Sequence, residues 1–155
     1  MMDKEERQRL AQRLEQIEPD LPAMAEEQAF EDSEQLTELL ADISERVRAN
    51  ALSALSLVDA EAFVKALPGA AADKSRIVRM QAAICMRNVS PDALVPAHET
   101  VVVLLSDSDP GVRKYALKSA AGIAAPTVRA IVDRIRDQDP EFHLRDLASD
   151  ISNAR

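Results

Sequence analysis

The chain is nearly devoid of aromatic residues: no Trp, one Tyr and three Phe in 155 residues. β-Sandwiches and barrels draw on aromatic and β-branched residues for their strands and on Gly for tight turns, yet only three Gly are present. Ala and Leu, strong helix formers, dominate instead, so the sequence predicts an all-α fold. A single cysteine, Cys85, excludes an internal disulfide framework and fits a reducing compartment. Apolar runs are no longer than Val101–Leu105, far short of the roughly 20 residues that a membrane-spanning helix needs. The opening Met-Met-Asp-Lys-Glu-Glu-Arg also lacks the apolar core of a secretion signal. A soluble, cytoplasmic protein with no membrane association is expected.

Basic residues are missing from one long stretch. Between Glu15 and Glu45 there are eleven acidic side chains and no Lys, Arg or His. The net charge of −8 is concentrated there: residues 1–34 hold eleven acids and four bases, whereas residues 35–155 hold sixteen acids and fifteen bases. Phosphate binding needs clustered Lys and Arg, so general nucleic-acid binding is not expected. The acidic stretch has two readings, a solvated face that keeps the chain soluble or a docking surface for a basic partner.

What is present is a repeat. An Asp, four residues, an apolar residue and Arg, two residues and an Ala occur four times. The copies are Asp42/Val47/Arg48/Ala51, Asp73/Val78/Arg79/Ala82, Asp107/Val112/Arg113/Ala116 and Asp139/Leu144/Arg145/Ala148, and they recur after 31, 34 and 32 residues. A period in this range is the sign of stacked helical units, each unable to bury its apolar face alone. Repeats are placed at about 33–58, 59–89, 90–123 and 125–155, each with an outer and an inner helix. Residues 1–32 form an acidic N-terminal helical cap. Within the cap, Leu10, Leu14 and Ile17 make one stripe on a helix ending before Pro19, and Leu21, Met24, Ala25 and Gln28 lie on a short helix opened by Pro22.

The expected apolar faces follow the helical period. Leu36, Leu39, Leu40 and Ile43 serve the first outer helix, and Val47, Ala51, Ala54, Leu55 and Val58 the first inner one. Asp59 caps the second outer helix (Phe63, Val64, Leu67), which Pro68-Gly69 breaks. Val78, Ala82, Cys85, Met86 and Val89 face inward from Ser75 to about Asn88. Ser90-Pro91 opens the third outer helix (Leu94, Val95, Val101, Leu104, Leu105), Asp109-Pro110 the next inner one (Val112, Ala116, Ala120, Ile123) and Pro126 the fourth outer one (Val128, Ile131, Val132, Ile135). Asp139-Pro140 opens the last inner helix. At positions four and seven after the motif Arg, Leu52/Leu55, Ala83/Met86 and Leu117/Ala120 give way to Ser149/Ser152, with Asp146 and Asp150 alongside. A terminal repeat needs such a polar outer face, so the array is expected to end with this copy.

The skeleton and its period resemble HEAT repeats, in particular the short HEAT-like units of phycobilisome-lyase type, over about residues 33–155. The resemblance implies a right-handed α-solenoid, with outer helices convex and inner helices lining a concave face. It also implies a ladder of hydrogen-bonded ion pairs between successive turns, here Asp42, Asp73, Asp107 and Asp139 with Arg48, Arg79, Arg113 and Arg145. The residue chemistry permits that role, because an Asp before a helix can accept from free N–H groups and an Arg fork can hold a carboxylate bidentately. The family name alone suggests an alternative, an enzyme subunit handling a tetrapyrrole or other small ligand.

Catalytic signals are thin. His98-Glu99 resembles the His-Glu pairs of deoxyhypusine hydroxylase, a HEAT enzyme that binds two irons, but there is one such pair here, on an outer helix, and His143 has no Glu after it. A surface role is expected for His98. No Gly-rich phosphate loop, Cys/His metal spacing or nucleophile elbow occurs, and Cys85 reads as a small buried apolar residue. HEAT-like DNA glycosylases have basic, aromatic-rich concave faces, which this sequence does not offer. No cofactor is expected, and the chain is read as a non-enzymatic scaffold for protein partners, a monomer or weak oligomer. Positions one, two and five after each motif Arg should face the concave side: Ala49/Asn50/Ser53, Met80/Gln81/Ile84, Lys114/Tyr115/Lys118 and Asp146/Leu147/Asp150. Tyr115, flanked by Lys114 and Lys118 with Met80 and Arg87 one repeat away, is the candidate protein-binding anchor; a partly packed tyrosine among surface lysines is the other reading.

Overall fold

The computed structural model describes residues 2–16 and 33–154, which form α-helices, two short 3-10 turns and connecting loops, with no strand among the described residues. The helices are α1 (Lys4–Glu15), α2 (Ser33–Leu39), α3 (Glu45–Val58), α4 (Ala60–Ala71), α5 (Arg76–Cys85), α6 (His98–Leu105), α7 (Pro110–Ala120), α8 (Pro126–Gln138) and α9 (Phe142–Asn153). Local chemistry sets most of their starts. Asp3 and Glu6 make a reciprocal capping box on α1, and Ser44, Asp59, Ser75 and Asp109 accept backbone N–H bonds from the first turns of α3, α4, α5 and α7. Pro110 and Pro126 sit in the first turns of α7 and α8, where their missing N–H has no intrahelical partner to lose.

The helices pack as sequential neighbours in two rows. In one row α3 contacts α5, α5 contacts α7 and α7 contacts α9; in the other α2, α4, α6 and α8 follow one another. Each member of the second row also packs on the helix that follows it in sequence, and α1 covers α3 and touches α2. The apolar stripes meet between the rows in one continuous core, in which Leu14, Leu36, Leu52, Phe63, Leu67, Leu104 and Leu117 are fully buried. Burying each such side chain contributes about 1.5–3 kcal/mol. The Val-Val-Val run of α6 is helical, with Val101 buried and Val103 half exposed, because the flanking Leu104 and Leu105 need a helical period to reach the core.

Several expectations are corrected. Pro68-Gly69 does not break α4: both are exposed, while Ala70 and Ala71 are buried and hold a further turn onto the core. Packing there outweighs the roughly 3 kcal/mol penalty of an interior proline. Ser90 does accept an N–H, from Ala93, but only a turn results. Pro96 then lies in a 3-10 turn (Val95–Ala97) and α6 starts after it, at His98. Asp139-Pro140 precedes α9 without entering it; Glu141 is the cap residue and the helix begins at Phe142. Ile43, Val58 and Val95 are exposed rather than inward, Ile43 at 97%, because each lies at or beyond the end of its helix, where the period no longer aims a side chain at the core. Ile17, Pro19 and the short helix expected around Leu21, Met24, Ala25 and Gln28 lie outside the described residues.

Candidate functional site

Every motif Asp organises its turn in the same way. The carboxylates of Asp42, Asp73, Asp107 and Asp139 accept the N–H two residues on, from Ser44, Ser75, Asp109 and Glu141, at 2.8–2.9 Å. The residue two positions after the Asp is therefore the helix cap, as the sequence places it at Ser75 and Asp109 but not in the last copy, where it opens the helix at Asp139-Pro140. The Arg six residues after each Asp reaches back: Nη1 of Arg48, Arg79 and Arg113 donates to the carbonyl of Asp42, Asp73 and Asp107 at 2.9 Å, and that of Arg145 to Asp139 at 2.5 Å. This anchors the guanidinium over its own turn and leaves the other edge facing the next unit.

That edge meets a carboxylate three times. Nε of Arg48, Arg79 and Arg113 donates to Asp73, Asp107 and Asp139, each at 2.9 Å. Nη2 completes a fork at 3.0 Å for Arg48 and 3.2 Å for Arg113. Charge-assisted, bidentate bonds of this kind fix geometry as well as adding energy. The carboxylates become more buried along the ladder, and at its last rung Arg113 is 9% and Asp139 7% exposed. Arg145 has the same backbone anchor but no carboxylate partner among the described residues; its guanidinium lies 5.6 Å from the centroid of Phe142, itself 69% exposed.

The first rung has a pH consequence. Burial by itself would push the Asp73 carboxyl up, but the Arg48 guanidinium and the Ser75 N–H outweigh it, so the group sits below its ordinary value. A carboxyl depressed in the folded state adds stability above its unfolded pKa, and that stability is lost as pH falls through the lower folded pKa. Asp73→Asn mimics the protonated acid. The stability gap between the native chain and Asp73→Asn is expected to be full above about pH 4 and to close below it, as read by urea unfolding across that range. A gap that stays constant to low pH would contradict the rung.

A second set of links between units carries no sequence motif. The cap residues of α3, α5 and α7 are held by the first or last residue of a neighbouring helix: Ser44 donates to Glu15, Ser75 donates to Glu45 at 2.6 Å, and Asp109 accepts from Arg76 at 2.7 Å. Where the cap changes from Ser to Asp, its partner changes from Glu to Arg. That paired switch is the signal in the sequence, legible only once the register of the units is known. Asn88 donates to Ser56 at 2.9 Å and Ser119 to the Ala83 carbonyl at 2.6 Å, joining further neighbours. Two grooves of about 310 and 300 Å³ overlie the ladder, one at Arg48–Asp73 beside Leu40 and Lys65, the other at Arg113–Asp139 beside Leu105 and Arg134.

The inner-helix face is partly closed. Ala49, Asn50 and Gln81, expected to be open, are buried, and Asn50 donates to the Leu14 carbonyl at 2.6 Å, capping the end of α1. Helix α1 thus covers the start of this face. Farther along, Lys114, Tyr115 and Lys118 come together: both ammonium groups lie near the Tyr115 ring, at 5.7 and 5.6 Å from its centroid, and the ring is half-buried against the core. Met80 is half-buried and its methyl lies where a side chain on Gly111 would have to pass, so the glycine permits a close approach of α5 and α7. Arg87 is exposed in the 3-10 turn after α5, donating to the Ile84 carbonyl at 3.4 Å.

The nucleophile and metal candidates settle into the fold. Cys85 is buried, which pushes its thiol up, and Gln81 lies against its sulfur. His98 is half-buried rather than a surface residue, because it starts α6 under the 3-10 turn; its Nε2 has no hydrogen-bond partner among the described residues. No group of three His, Cys, Asp or Glu able to hold a metal ion occurs among the described residues, and none of their helices is long and apolar enough to cross a membrane. Against known proteins, the chain matches no family model and no curated sequence.

Proposed function

We propose that the chain is a right-handed α-solenoid of four HEAT-like helix pairs behind an N-terminal helical cap, and that it works as a non-enzymatic scaffold for a protein partner. The two rows of sequential helix contacts and the Arg–Asp rungs, each made by Nε and Oδ2 at 2.9 Å, support the solenoid reading. The observation that carries the scaffold reading is the contrast within α7. Val112, Arg113 and Ala116, which recur in every unit, are buried, whereas Lys114, Tyr115 and Lys118, which do not recur, gather at the surface. Repeated positions hold the fold, and unrepeated ones are free to recognise. A rigid, half-buried tyrosine flanked by charge is a typical interface anchor.

Capture of binding partners from the native cell by the chain and by its Tyr115→Ala/Lys118→Glu variant tests this reading. Loss of specific partners from the variant, with its melting temperature preserved, is the expected result; an unchanged set of partners removes the site. Any partner held instead by the acidic N-terminal stretch should be released as salt is raised, since exposed charges are screened over about 10 Å at 0.1 M.

A further inference from the structure

Charge is segregated along the inner row in a way that total charge conceals. In a chain of net charge −8, residues 74–91 and 110–132, which contain α5 and α7, hold no Asp or Glu at all. Their arginines are partly committed: Arg76, Arg79 and Arg113 are paired with Asp109, Asp107 and Asp139. Arg87, Lys114 and Lys118 are not, for no carboxylate among the described residues forms an ion pair with any of them. Lys114 and Lys118 sit at the first and fifth positions after their motif Arg, Arg87 at the eighth after its own. Lys114 and Lys118, four residues apart, share a face of α7, and Arg87 follows in the 3-10 turn at the end of the adjacent α5.

The stripe is bounded on both sides. At the corresponding positions of α9 the residues are Asp146 and Asp150, both exposed, and on α3 the face is covered by α1. The basic surface is therefore about two helices wide, roughly 10 Å between axes, enough for three or four residues of extended chain at about 3.3 Å each. We infer that the α5–α7 face, with Tyr115 as its floor and Lys114, Lys118 and Arg87 around it, binds a short acidic segment of a partner protein. The inference rests on the scaffold reading and supplies the class of its partner. The chemistry that selects the ligand is direct: ammonium and guanidinium groups without an internal carboxylate partner take carboxylates, and the tyrosine ring supplies apolar contact to the segment's backbone and aliphatic stems. Acidic neighbours on α9 repel anything longer or more extensively charged, including a nucleic-acid backbone.

The composition provides the probe. With no Trp and a single Tyr, the intrinsic emission of the chain reports on Tyr115. The full-length chain is titrated with a Glu-rich peptide free of aromatic residues, and in parallel with a Lys-rich one. A saturable change in Tyr115 emission with the Glu-rich peptide only, weakening as salt is raised from about 50 to 300 mM, is expected. Lys114→Glu/Lys118→Glu should weaken the Glu-rich peptide by about tenfold or more and bring in a response to the Lys-rich one. Both lysines are outside the core, so a preserved melting temperature verifies that the variant is folded. A response that survives charge reversal, or one given equally by the Lys-rich peptide, overturns the inference. A silent titration combined with partner capture that still depends on Tyr115 overturns the acidic class and leaves the scaffold reading standing. Occupation of this face by a second copy of the chain, seen as a dimer in sedimentation that Lys118→Glu dissociates, also overturns it.

Discussion

Arg113→Ala is expected to lower the unfolding free energy by about 3–5 kcal/mol, the cost of leaving one member of a buried ion pair alone. The side chain bridges two units through four bonds: Nε and Nη2 to Asp139, and Nη1 to the carbonyls of Asp107 and Ser108 at 2.9 and 3.1 Å. Its loss leaves the buried Asp139 carboxylate with the Glu141 N–H as its remaining bond. Arg113→Lys should not restore the loss, since an ammonium cannot span the carboxylate and both carbonyls in one plane. Arg145→Ala provides the internal control. It removes the same residue type from the same motif position, but one that answers no carboxylate among the described residues, and should cost about 1 kcal/mol or less. Urea unfolding of the three variants checks the order. Equal losses for Arg113→Ala and Arg145→Ala would mean that the motif arginine acts within its own turn and does not join units.

Phe63→Ala should cost about 3–5 kcal/mol by a different route, the loss of transfer energy plus the cavity left behind. Phe63 is fully buried on α4, a helix that packs against α2, α3, α5 and α6. In a core built chiefly of Ala, Leu and Val, the surrounding structure is expected to relax only partly into the gap. Phe63→Leu keeps most of the volume and should recover more than half of the loss. The denaturant midpoint should fall with the slope unchanged if the array still unfolds as one unit; a lower slope would show the N-terminal pairs melting separately.

The repeated skeleton made the element order legible, because Val112, Ala116 and their counterparts keep a helical period wherever the Asp and Arg stand. The sequence misled where a local breaker met a strong packing demand or a second breaker. Pro68 is overruled by buried Ala70 and Ala71, whereas the helix expected from Ser90-Pro91 is delayed by Pro96 until His98. The start of α7 at Asp109-Pro110 was legible, whereas the sequence places that of α9 at Asp139-Pro140; the Asp139 carboxylate instead accepts the N–H of the cap residue Glu141, two positions on. At the candidate site, Lys114, Tyr115 and Lys118 were legible as residues that break the repeat. The burial of Asn50 was not, since it depends on α1 folding back across α3, a contact between residues 36 apart that no local period encodes. The Glu45–Ser75 and Arg76–Asp109 links were equally hidden, because they appear as a correlated exchange between units and not as a motif.

A double-mutant cycle on Arg113 and Asp139 tests most directly that the motif's purpose is to join one unit to the next. Arg113→Ala, Asp139→Ala and the double variant are unfolded in urea alongside the native chain. If the pair couples the units, the double variant should lose less than the sum of the singles, by about 1–3 kcal/mol, as expected for groups in one hydrogen-bonded network. Losses that simply add, within about 0.5 kcal/mol, would contradict it.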